Sequence, residues 1–532
     1  MDIPVETLPD DPALREIIAS LQAGLDARLS DLQAQHERQI SILLEQIRHL
    51  RQLVFGRRSE KLPPDSTTVQ LPLFDLPEPE HIEPAKVEIE PHSRRKPGRK
   101  PLPPELPRLE VMHDLPEEEK VCACGCELSR IGEEVSEQLD IVPARIQVLR
   151  HIRPKYACRQ CEGVEDEGPA VRIAPMPPQI IPQSIVSPGL LAHVLTAKFV
   201  DHLPLYRQEK LFARLGVEIG RATMSNWAIK AAEACMPLLN LIRDEILAGK
   251  LINIDETTLQ VLVEPGRAPT STSYMWLFRR GDPQRPALLY QYYPTRAGDV
   301  ARTFLGDYQG TVQTDGFSGY DFLDRQAGVR HAGCWAHVRR KFMEVVKAQG
   351  KNRISGSADQ ALAYIQQLYG LEKEARVKQW SPSMIATMRA EKARPILDTF
   401  HQWLLKRAAQ TPPKGMLGKA ISYALNQWDR LLVYLDDPIV TPDNNMAENG
   451  IRPFVLGRKN WLFAGSSKGA EASALLYSLI ETAKANNCEP YSYLRHIFAH
   501  LPGAHTLADY EALLPWNVDK MNIMLRSVQA VD

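Results

Sequence analysis

Three acidic residues of this chain stand in local sequences that together favour a catalytic metal site. Asp255 ends an apolar run and Asp315 follows a short predicted strand, whereas Glu448 lies in a segment with the composition of a helix start. Taken singly, such an acid is more often a turn or a helix cap. Two carboxylates at strand ends and one on a helix, however, can hold two divalent cations about 4 Å apart for in-line phosphoryl transfer. Because Mg²⁺ needs few carboxylates and keeps several waters, the three acids predict a pair of Mg²⁺ or Mn²⁺ ions.

The elements expected to position these acids are the strands of one sheet and a helix. Strands are predicted at 251–254, 274–279, 287–292, 310–314 and near 329–334, followed by a helix through Arg339. Strands and helices that carry acids at a sheet edge are typical of an α/β core with a mixed sheet. We predict that the core begins with 251–339 and resumes at 441–488, which carries the third acid and a helix at 470–484. The intervening 340–440 is expected to be wholly helical and is interpreted as a large all-α insertion.

Several motifs accompany the acids along the chain. They are Asp-Glu-Thr at 255–257, Thr-Asp-Gly at 314–316, Cys-Trp-Ala-His-Val-Arg-Arg-Lys-Phe at 334–342 and Arg-Pro-Phe-Val-Leu-Gly-Arg-Lys-Asn-Trp-Leu-Phe at 452–463. Together they closely resemble the transposases of the bacterial insertion sequence 66 family, and the resemblance runs from 53–61 to 513–517. It implies an RNase H-like catalytic core with a DDE triad, here Asp255, Asp315 and Glu448. It also implies strand cleavage and then strand transfer at one site, without a covalent protein–DNA intermediate.

Length and composition limit the classes of protein that fit. The 532 residues exceed one ordinary domain, and 44% hydrophobic with 24% charged residues is the composition of a soluble globular protein. No apolar stretch approaches the roughly 18 residues of a membrane span, and the first residues lack the pattern of a signal peptide. We predict a cytoplasmic protein without membrane contact, associated with the nucleoid when bound to DNA. Because the net charge is −1, contacts to DNA must come from local basic patches.

A long helix is predicted near the N-terminus, within 10–60. Apolar residues recur there at steps of three or four from Leu14 to Val54, in part with the alternation of a heptad seam. Two interpretations stay open, a coiled coil between chains and a helix docked on its own protein. The coiled coil is favoured because the next segment, 61–108, is rich in proline and supplies no core. It predicts a homo-oligomer.

The Pro-rich linker 61–108 contains a basic strip, Arg94–Pro101. Its prolines keep the strip extended, while Gly98 lets the backbone lie close to a surface. Arginine presented in this way suits a narrow minor groove. The residues expected to contact DNA are Arg95, Arg99 and Lys100. A basic linker without a specific role is the alternative.

Five of the eight cysteines fall in the segment 122–161, which in a cytosolic protein favours a metal over disulfides. Alternating apolar residues typical of strands separate two groups of thiols over 138–156. This pattern predicts a ribbon over 109–182 that holds one structural Zn²⁺. Its four ligands are drawn from Cys122, Cys124, Cys126, Cys158 and Cys161. The family resemblance favours Cys122 and Cys124 together with Cys158 and Cys161 as the ligands. Cys122 paired with Cys126 remains open, and free buried thiols are the alternative.

Residues 183–250 are predicted to be helical. A helix opens near Leu203, a turn that contains Gly216 and Gly220 follows, and a second helix starts at Arg221. A helix, a turn with glycine and a second helix led by polar side chains indicate a helix-turn-helix. The residues expected to face a DNA groove are Arg221, Ser225, Asn226 and Lys230. A plain helical hairpin is the alternative.

Basic residues near the acids form a second set of candidate DNA contacts. They are His337, Arg339, Arg340, Arg452, Arg458 and Lys459. Trp461 and Phe463 are interleaved with them, so the strip can meet a DNA strand through phosphate contacts and base stacking. Solvated charge beside core aromatics is the alternative. Arg452 can also simply pair with Glu448 along a helix.

Cys334 and His337 have the spacing of half a metal site. The family resemblance implies another interpretation, in which His337 contacts a DNA phosphate or steadies the active site; a structural role is a further alternative. Residues 489–532 resemble the small C-terminal segment of the same family.

Three functions compete: a transposase that acts on double-stranded DNA at its terminal inverted repeats and a target, an inactive DNA-binding regulator, and a nuclease without strand transfer. The intact acids and the predicted coiled coil favour the first, with accessory proteins of the same element as further partners.

Overall fold

The computed structural model describes residues 12–55, 146–157, 171–349 and 355–523. The first described element is helix α1, Pro12–Phe55, which has 44 residues. Five leucines along it are more than half exposed, namely Leu21, Leu25, Leu29, Leu32 and Leu43. The long N-terminal helix predicted from the apolar repeat is therefore present, whereas its association with a second chain stays a prediction. The basic strip with Arg95, Arg99 and Lys100 lies outside the described residues.

Of the predicted zinc ribbon, the structure describes residues 146–157 and 171–182. Strand β1, Lys155–Ala157, pairs antiparallel with β2, Val171–Ile173. The strand expected over 138–156 is wrong for 146–154, which has no regular secondary structure. Alternating side chains indicate a strand only where another strand supplies hydrogen bonds, and within the described ranges this segment has no such partner. All five ribbon cysteines lie outside the described residues.

Four helices precede the sheet: α2 (Pro188–Phe199), α3 (Leu205–Arg214), α4 (Arg221–Ala234) and α5 (Met236–Leu247). Ser187 caps α2 because its hydroxyl accepts the N–H of Leu190 at 3.2 Å. After α3 the chain turns at Gly216, whose φ of +81° lies in the left-handed region that glycine adopts without strain. The helix, turn and helix predicted from Leu203 onward are therefore confirmed as geometry.

The central sheet contains β3 (Leu251–Val263), β4 (Thr272–Arg280), β5 (Leu288–Tyr293), β6 (Gly310–Gln313) and β7 (Val329–Ala332). Its strand order is β5-β4-β3-β6-β7. β3, β4 and β5 are antiparallel neighbours, whereas β6 and β7 run parallel to β3. Helix α6, Asp299–Leu305, connects β5 to β6. The five strands predicted from the sequence are all present, and the sheet is mixed as expected.

The expectation that Asp255 ends its strand is wrong. β3 continues to Val263, because its residues from Ile252 to Gln260 pair with β4. On the other side of β3, pairing with β6 stops at Asn253. Asp255 therefore lies inside a long strand, at the point where the parallel neighbour ends. The apolar run stops at this residue because the side chains are only partly buried from here to Thr257, while the hydrogen-bonded strand continues.

The described residues between β7 and position 440 are helical, as predicted for the insertion. The helices are α7 (Trp335–Ala348), α8 (Ser357–Val377), α9 (Pro382–Met388), a π-helical turn (Arg389–Ala393), α10 (Arg394–Gln410), α11 (Met416–Asn426) and α12 (Trp428–Leu432). They pack around large buried side chains such as Phe342 and Phe400, and Leu251 of β3 and Ala332 of β7 belong to the same hydrophobic core. The insertion and the sheet are thus packed into one body by shared apolar burial.

The last elements complete the sheet and cover its edge. They are α13 (Asn445–Trp461), β8 (Ala464–Ser466), α14 (Ser467–Ala485), α15 (Pro490–His500) and α16 (Leu507–Ala512). β8, which the sequence did not predict, pairs with the end of β3. The hydroxyls of Ser478 and Thr482 on α14 accept the N–H groups of Tyr290 at 2.7 Å and Leu288 at 3.0 Å, which protects the edge strand β5. No described helix combines the length and apolarity needed to cross a membrane.

Candidate active site

The three acids predicted from the sequence come together at one edge of the sheet. Asp255 lies in β3, Asp315 follows the end of β6, and Glu448 lies in the first turn of α13. Asn253 of β3 pairs with Gln313 of β6, so the register places the two aspartates at matching positions. The charges of Asp315 and Glu448 both act on Asp255. The three carboxylates therefore form one cluster.

Burial and mutual repulsion make Asp255 difficult to ionise. Burial contributes most to raising its pKa, and the charges of Glu256, Glu448 and Asp315 raise it further. The N–H of Glu256, which donates to Asp255 Oδ1 at 2.9 Å, acts in the opposite direction. Burial also raises the pKa of Glu448, although Arg340 opposes this change. Because a divalent cation offsets such repulsion and takes oxygen ligands, the cluster fits Mg²⁺ or Mn²⁺.

A buried network of amide side chains fixes the elements that carry the acids. Asn253 Nδ2 donates to Gln313 Oε1 at 3.0 Å and to Asn444 Oδ1 at 2.9 Å. Asn444 Nδ2 donates to the carbonyl of Ile254 at 2.8 Å, and Gln313 Nε2 donates to the carbonyl of Thr441 at 2.7 Å. The three amide residues are at most 1% exposed. Since buried amides must find partners, the network holds β3, β6 and the start of α13 in one arrangement.

Helix α13 lies close against the sheet near Glu448. A Cβ atom at Gly450 would lie 2.8 Å from Leu277 Cδ2, so only glycine allows this approach without a shift. Arg279 Nη1 of β4 donates to the carbonyl of Met446 at 2.8 Å. These two contacts bracket Glu448 and position it above the sheet edge.

Two side chains of α7 lie next to the carboxylate of Glu448, and one of them is hydrogen-bonded to it. Its Oε2 accepts from Arg340 Nη2 at 3.3 Å, and its Oε1 lies 3.6 Å from His337 Nδ1. Arg340 Nη1 lies 3.0 Å from His337 Nε2. Burial, with the charge of Arg340, lowers the pKa of His337 to about 4, so the neutral ring accepts at Nε2. Arg452 forms no ion pair with Glu448 in the part of the chain that the structure describes.

Three residues that were not expected from the sequence also lie at the acid cluster, namely Glu256, Arg296 and Tyr320. The side chain of Glu256 is 1% exposed, pairs with Arg296 and accepts a hydrogen bond from the Tyr320 hydroxyl. Arg296 Nη2 also lies 3.9 Å from Asp315 Oδ2, and its guanidinium stacks on the Phe317 ring at 3.8 Å. Arg296 therefore offsets part of the negative charge. The only signal in the sequence was the position of Glu256 next to the first acid.

The loop that carries Asp315 is anchored from both sides. Asp315 Oδ1 accepts the N–H of Phe317 at 3.0 Å. Just before it, the Thr314 hydroxyl lies 2.8 Å from Nε2 of the buried His331, whose Nδ1 lies 2.8 Å from Asp324 Oδ1. These bonds leave the Asp315 carboxylate little freedom to move, as a metal ligand requires.

The candidate DNA contacts of the helix-turn-helix are all carried by α4. Arg221, Asn226 and Lys230 are exposed and Ser225 is partly buried, whereas apolar residues such as Trp227 are buried. The backbone N–H of Arg221 donates to Glu209 Oε1 of α3 at 3.2 Å, which ties the two helices together. The face is available for a groove, and its contact with DNA stays a prediction.

The basic residues around the acids have different surroundings. Lys459 is exposed, while Arg339, Arg340, Arg452 and Arg458 are partly buried. Arg458 Nη1 donates to the hydroxyls of Thr257 at 3.1 Å and Thr258 at 3.0 Å, and so joins α13 to β3 beside the acids. Trp461 packs on Phe454 at 5.3 Å between ring centroids, whereas Phe463 is 43% exposed. Of the two aromatics, Phe463 is therefore the one available for base stacking.

Four family models match this chain. The model of the transposase IS66 family matches residues 183–472, and the zinc-finger binding domain of transposase IS66 matches 119–162. The IS66 C-terminal element matches 478–516, and the model described as transposase C of IS166 homeodomain matches 42–111. The second model includes all five ribbon cysteines and supports the predicted zinc ion.

Similar full-length proteins occur in Sinorhizobium fredii (strain NBRC 101917 / NGR234). The uncharacterized protein y4jD is 34% identical over 505 residues, which cover 91% of this chain and 96% of that protein. The uncharacterized protein y4qI is 31% identical over 550 residues, which cover 97% of this chain and 99% of that protein. Both matches extend over nearly the whole length of each chain.

Proposed function

Because the chain belongs to the IS66 family of transposases, we propose that it cuts and joins DNA strands at the ends of a mobile element. Double-stranded DNA is the substrate, both at the terminal inverted repeats of the element and at the target. Asp255, Asp315 and Glu448 are the catalytic acids, and they hold two Mg²⁺ or Mn²⁺ ions. The observation that carries the proposal is the convergence of these acids from three separate elements into one partly buried cluster.

The arrangement supports an RNase H-like core. Asp255 stands on β3, Asp315 follows the end of the neighbouring parallel strand β6, and the third acid stands on a helix that follows an all-α insertion. Bound at these carboxylates, a pair of divalent cations supplies Lewis acidity for in-line phosphoryl transfer, at the attacking water or 3′-hydroxyl and at the leaving oxygen. Cleavage and transfer then take place at one site without a covalent protein–DNA intermediate.

Residues of the chain itself position the acids, bind the DNA and associate with a second chain. Asp255 and Asp315 are fixed by the strand register and by the amide network, so their oxygens are positioned before any ligand binds. Arg340 holds Glu448 at the cluster. The exposed face of α4 and Lys459 bind phosphate groups of DNA, and self-association of α1 brings two element ends together.

The test uses conservative replacements of one acid at a time. Purified protein is assayed on labelled element-end DNA, with and without Mg²⁺. We expect Glu448→Gln to lower cleavage by about 10²-fold or more, because even a ~1 Å misplacement of reacting groups has that effect. DNA binding is expected to be unchanged, since affinity comes from separate basic residues.

Two nearby acids serve as a matched control and as the alternative candidate for the third catalytic acid. Glu471→Gln changes an exposed acid of α14 and should leave cleavage unaffected. Asp443, whose Oδ1 accepts the backbone N–H of Asn445 at 3.2 Å, is the rival for the third acid. Cleavage by Glu448→Gln at the wild-type rate, with loss in Asp443→Asn, would reject Glu448. Binding of element ends with no cleavage under any condition would instead favour a DNA-binding regulator.

A further inference from the structure

A second set of possible metal ligands lies beside the acid cluster. Cys334 Sγ, a ring nitrogen of His337 and a carboxylate oxygen of Glu448 all lie within 4.8 Å of one another. From the sequence, Cys334 and His337 formed only half a metal site. The tertiary structure adds the third donor, because α13 brings Glu448 against the start of α7.

Cys334 is buried beside the acids, where burial and the charges of Asp443 and Glu448 raise the pKa of its thiol. It is the residue before the first turn of α7, so its sulfur lies at the positive end of the helix dipole. Its Sγ accepts the backbone N–H of Asn444 at 3.2 Å. N–H groups aimed at a sulfur are the outer-shell contacts that tune a metal-bound cysteine.

His337 and Glu448 face each other with unused ligand atoms. Nδ1 of His337 and Oε1 of Glu448 lie 3.6 Å apart. Neither atom has a hydrogen-bond partner among the described residues, although both are buried. Buried polar atoms without partners are costly and point to a missing ligand. A cation between them would give a partner to each.

We propose that Cys334 Sγ, His337 Nδ1 and Glu448 bind one Zn²⁺, at a site distinct from both the zinc ribbon and the pair of hard cations. A sulfur, a nitrogen and an oxygen ligand suit zinc, whereas Mg²⁺ takes oxygen ligands only. Three protein ligands leave the fourth tetrahedral position open to water. Binding releases the thiol proton of Cys334 to solvent, and the imidazole proton of His337 moves from Nδ1 to Nε2.

The proton on Nε2 has a consequence for Arg340. In the structure, Arg340 Nη1 donates to His337 Nε2 at 3.0 Å. Once Nε2 carries the proton, both atoms are donors and this hydrogen bond cannot form. Zinc therefore displaces Arg340, whose side chain is 40% exposed and can turn to solvent. Because Glu448 would then be a zinc ligand without Arg340 as its partner, zinc would compete with the catalytic cations for it. This inhibitory effect rests on the proposed function of Glu448, whereas zinc binding itself does not.

The binding test compares the zinc content of full-length proteins. Each protein is incubated with ZnCl₂, passed over a desalting column and analysed for zinc per chain. We expect Cys334→Ser and His337→Ala to hold one zinc fewer than the wild type. Cys235→Ala, which changes another free buried cysteine, should hold as many as the wild type. Equal zinc content in all four proteins would overturn the proposal.

Absorption spectra of the Co²⁺-loaded proteins distinguish the loss of a ligand from the loss of folding. Co²⁺ bound through a thiolate gives charge-transfer absorption, so the wild-type minus Cys334→Ser difference spectrum should contain this band. Glu448→Gln, which keeps the size of the side chain, should weaken Co²⁺ binding but retain the thiolate band. A difference spectrum without a thiolate band would overturn the proposal even if Cys334→Ser unfolded.

Inhibition is measured as the ratio of cleavage rates with and without added ZnCl₂, at constant Mg²⁺. The wild-type rate should fall by about 10²-fold as Glu448 is withdrawn, and the ratio for Cys334→Ser should return towards one. Zinc binding without inhibition would reject the regulatory part and keep the site. Absence of Mg²⁺-dependent cleavage in the wild type would count against the proposed function and leave the zinc content as an independent result.

Discussion

Asn253 and Asn444, 191 positions apart in the chain, are joined by a buried hydrogen bond of 2.9 Å. Asn253 lies on β3 just before the first acid, and Asn444 directly precedes the helix that carries the third. The bond therefore closes the long insertion and sets where Glu448 meets the sheet. Within the insertion, the buried Arg389 of the π-helical turn donates to the carbonyls of Asp437 and Val440. These bonds anchor the insertion to the segment that leads into α13.

The amide network is expected to contribute both stability and activity. Asn444→Ala leaves buried groups of Asn253 and Ile254 without partners, so we expect a loss of about 1–3 kcal/mol in the free energy of unfolding. Cleavage should fall as well, because the start of α13 is no longer fixed. Asn449→Ala, at an exposed position of the same helix, is the control. Denaturant unfolding of the three proteins measures the difference, and equal midpoints would contradict the role of the network.

Asp255 is expected to make the metal-free protein less stable as the pH rises. Its pKa in the folded protein is raised well above the ordinary value of 3.8, mainly by burial. Between these two pKa values the folded protein binds a proton that the unfolded chain has lost. Stability is therefore lost as the pH rises through this window, and stays lower above it. Each pKa unit corresponds to about 1.4 kcal/mol.

Asp255→Asn should consequently raise the Tm of the protein at neutral pH in the absence of added magnesium. Melting curves across the acidic and neutral range should show that the gain disappears at low pH. Asp398→Asn, at an exposed position of α10, should leave the curve unchanged. A Tm that is lower in Asp255→Asn than in the wild type at neutral pH would show that the carboxylate is not destabilising.

The exposed face of α4 is expected to bind DNA phosphates. Arg221→Ala and Lys230→Ala should each weaken binding to element ends and reduce the slope of log K against log salt concentration by about 1. Fluorescence anisotropy over a series of salt concentrations measures both quantities. Lys406→Ala, at an exposed position on the helical insertion, is the matched control. Unchanged slopes in the α4 variants would favour a plain helical hairpin.

Helix α1 is expected to associate with α1 of a second chain. Its backbone runs beside α7 and α11, yet leucines such as Leu25 and Leu32 remain more than half exposed. Such side chains are buried when two helices form a coiled coil. Light scattering of the full chain should report more than one copy, and replacement of Leu25 and Leu32 by Glu should reduce the mass to that of a monomer. A wild-type protein that is monomeric would support docking on its own chain.

The ribbon cysteines are expected to hold one structural zinc. Cys158→Ser with Cys161→Ser should remove one zinc per chain and make the region around them sensitive to protease. The reason is that structural zinc stabilises such small modules by roughly 10 kcal/mol or more. Metal analysis and limited proteolysis of the full chain measure both effects. Full zinc content in the double variant would rule out these two ligands.

The sequence by itself determined the kinds of elements, and it singled out the three acids as the predicted catalytic residues. Alternation and helical periodicity are local properties, so the five strands, the α3–α4 pair and the helical insertion followed from residues close in the chain. The acids followed from their residue types and from the motifs around them. Side-chain chemistry of this kind needs no knowledge of distant contacts.

Only the tertiary structure decided what each acid touches. Asp255 lies inside β3 because β4 continues to pair beyond it, and no local pattern encodes the length of a partner strand. Glu448 pairs with Arg340 of α7, although Arg452 is nearer in the chain. Glu256, Arg296 and Tyr320 join the cluster only because the sheet brings their elements together. Such contacts depend on how the whole chain packs its apolar surface, which the order of residues around any one position does not specify.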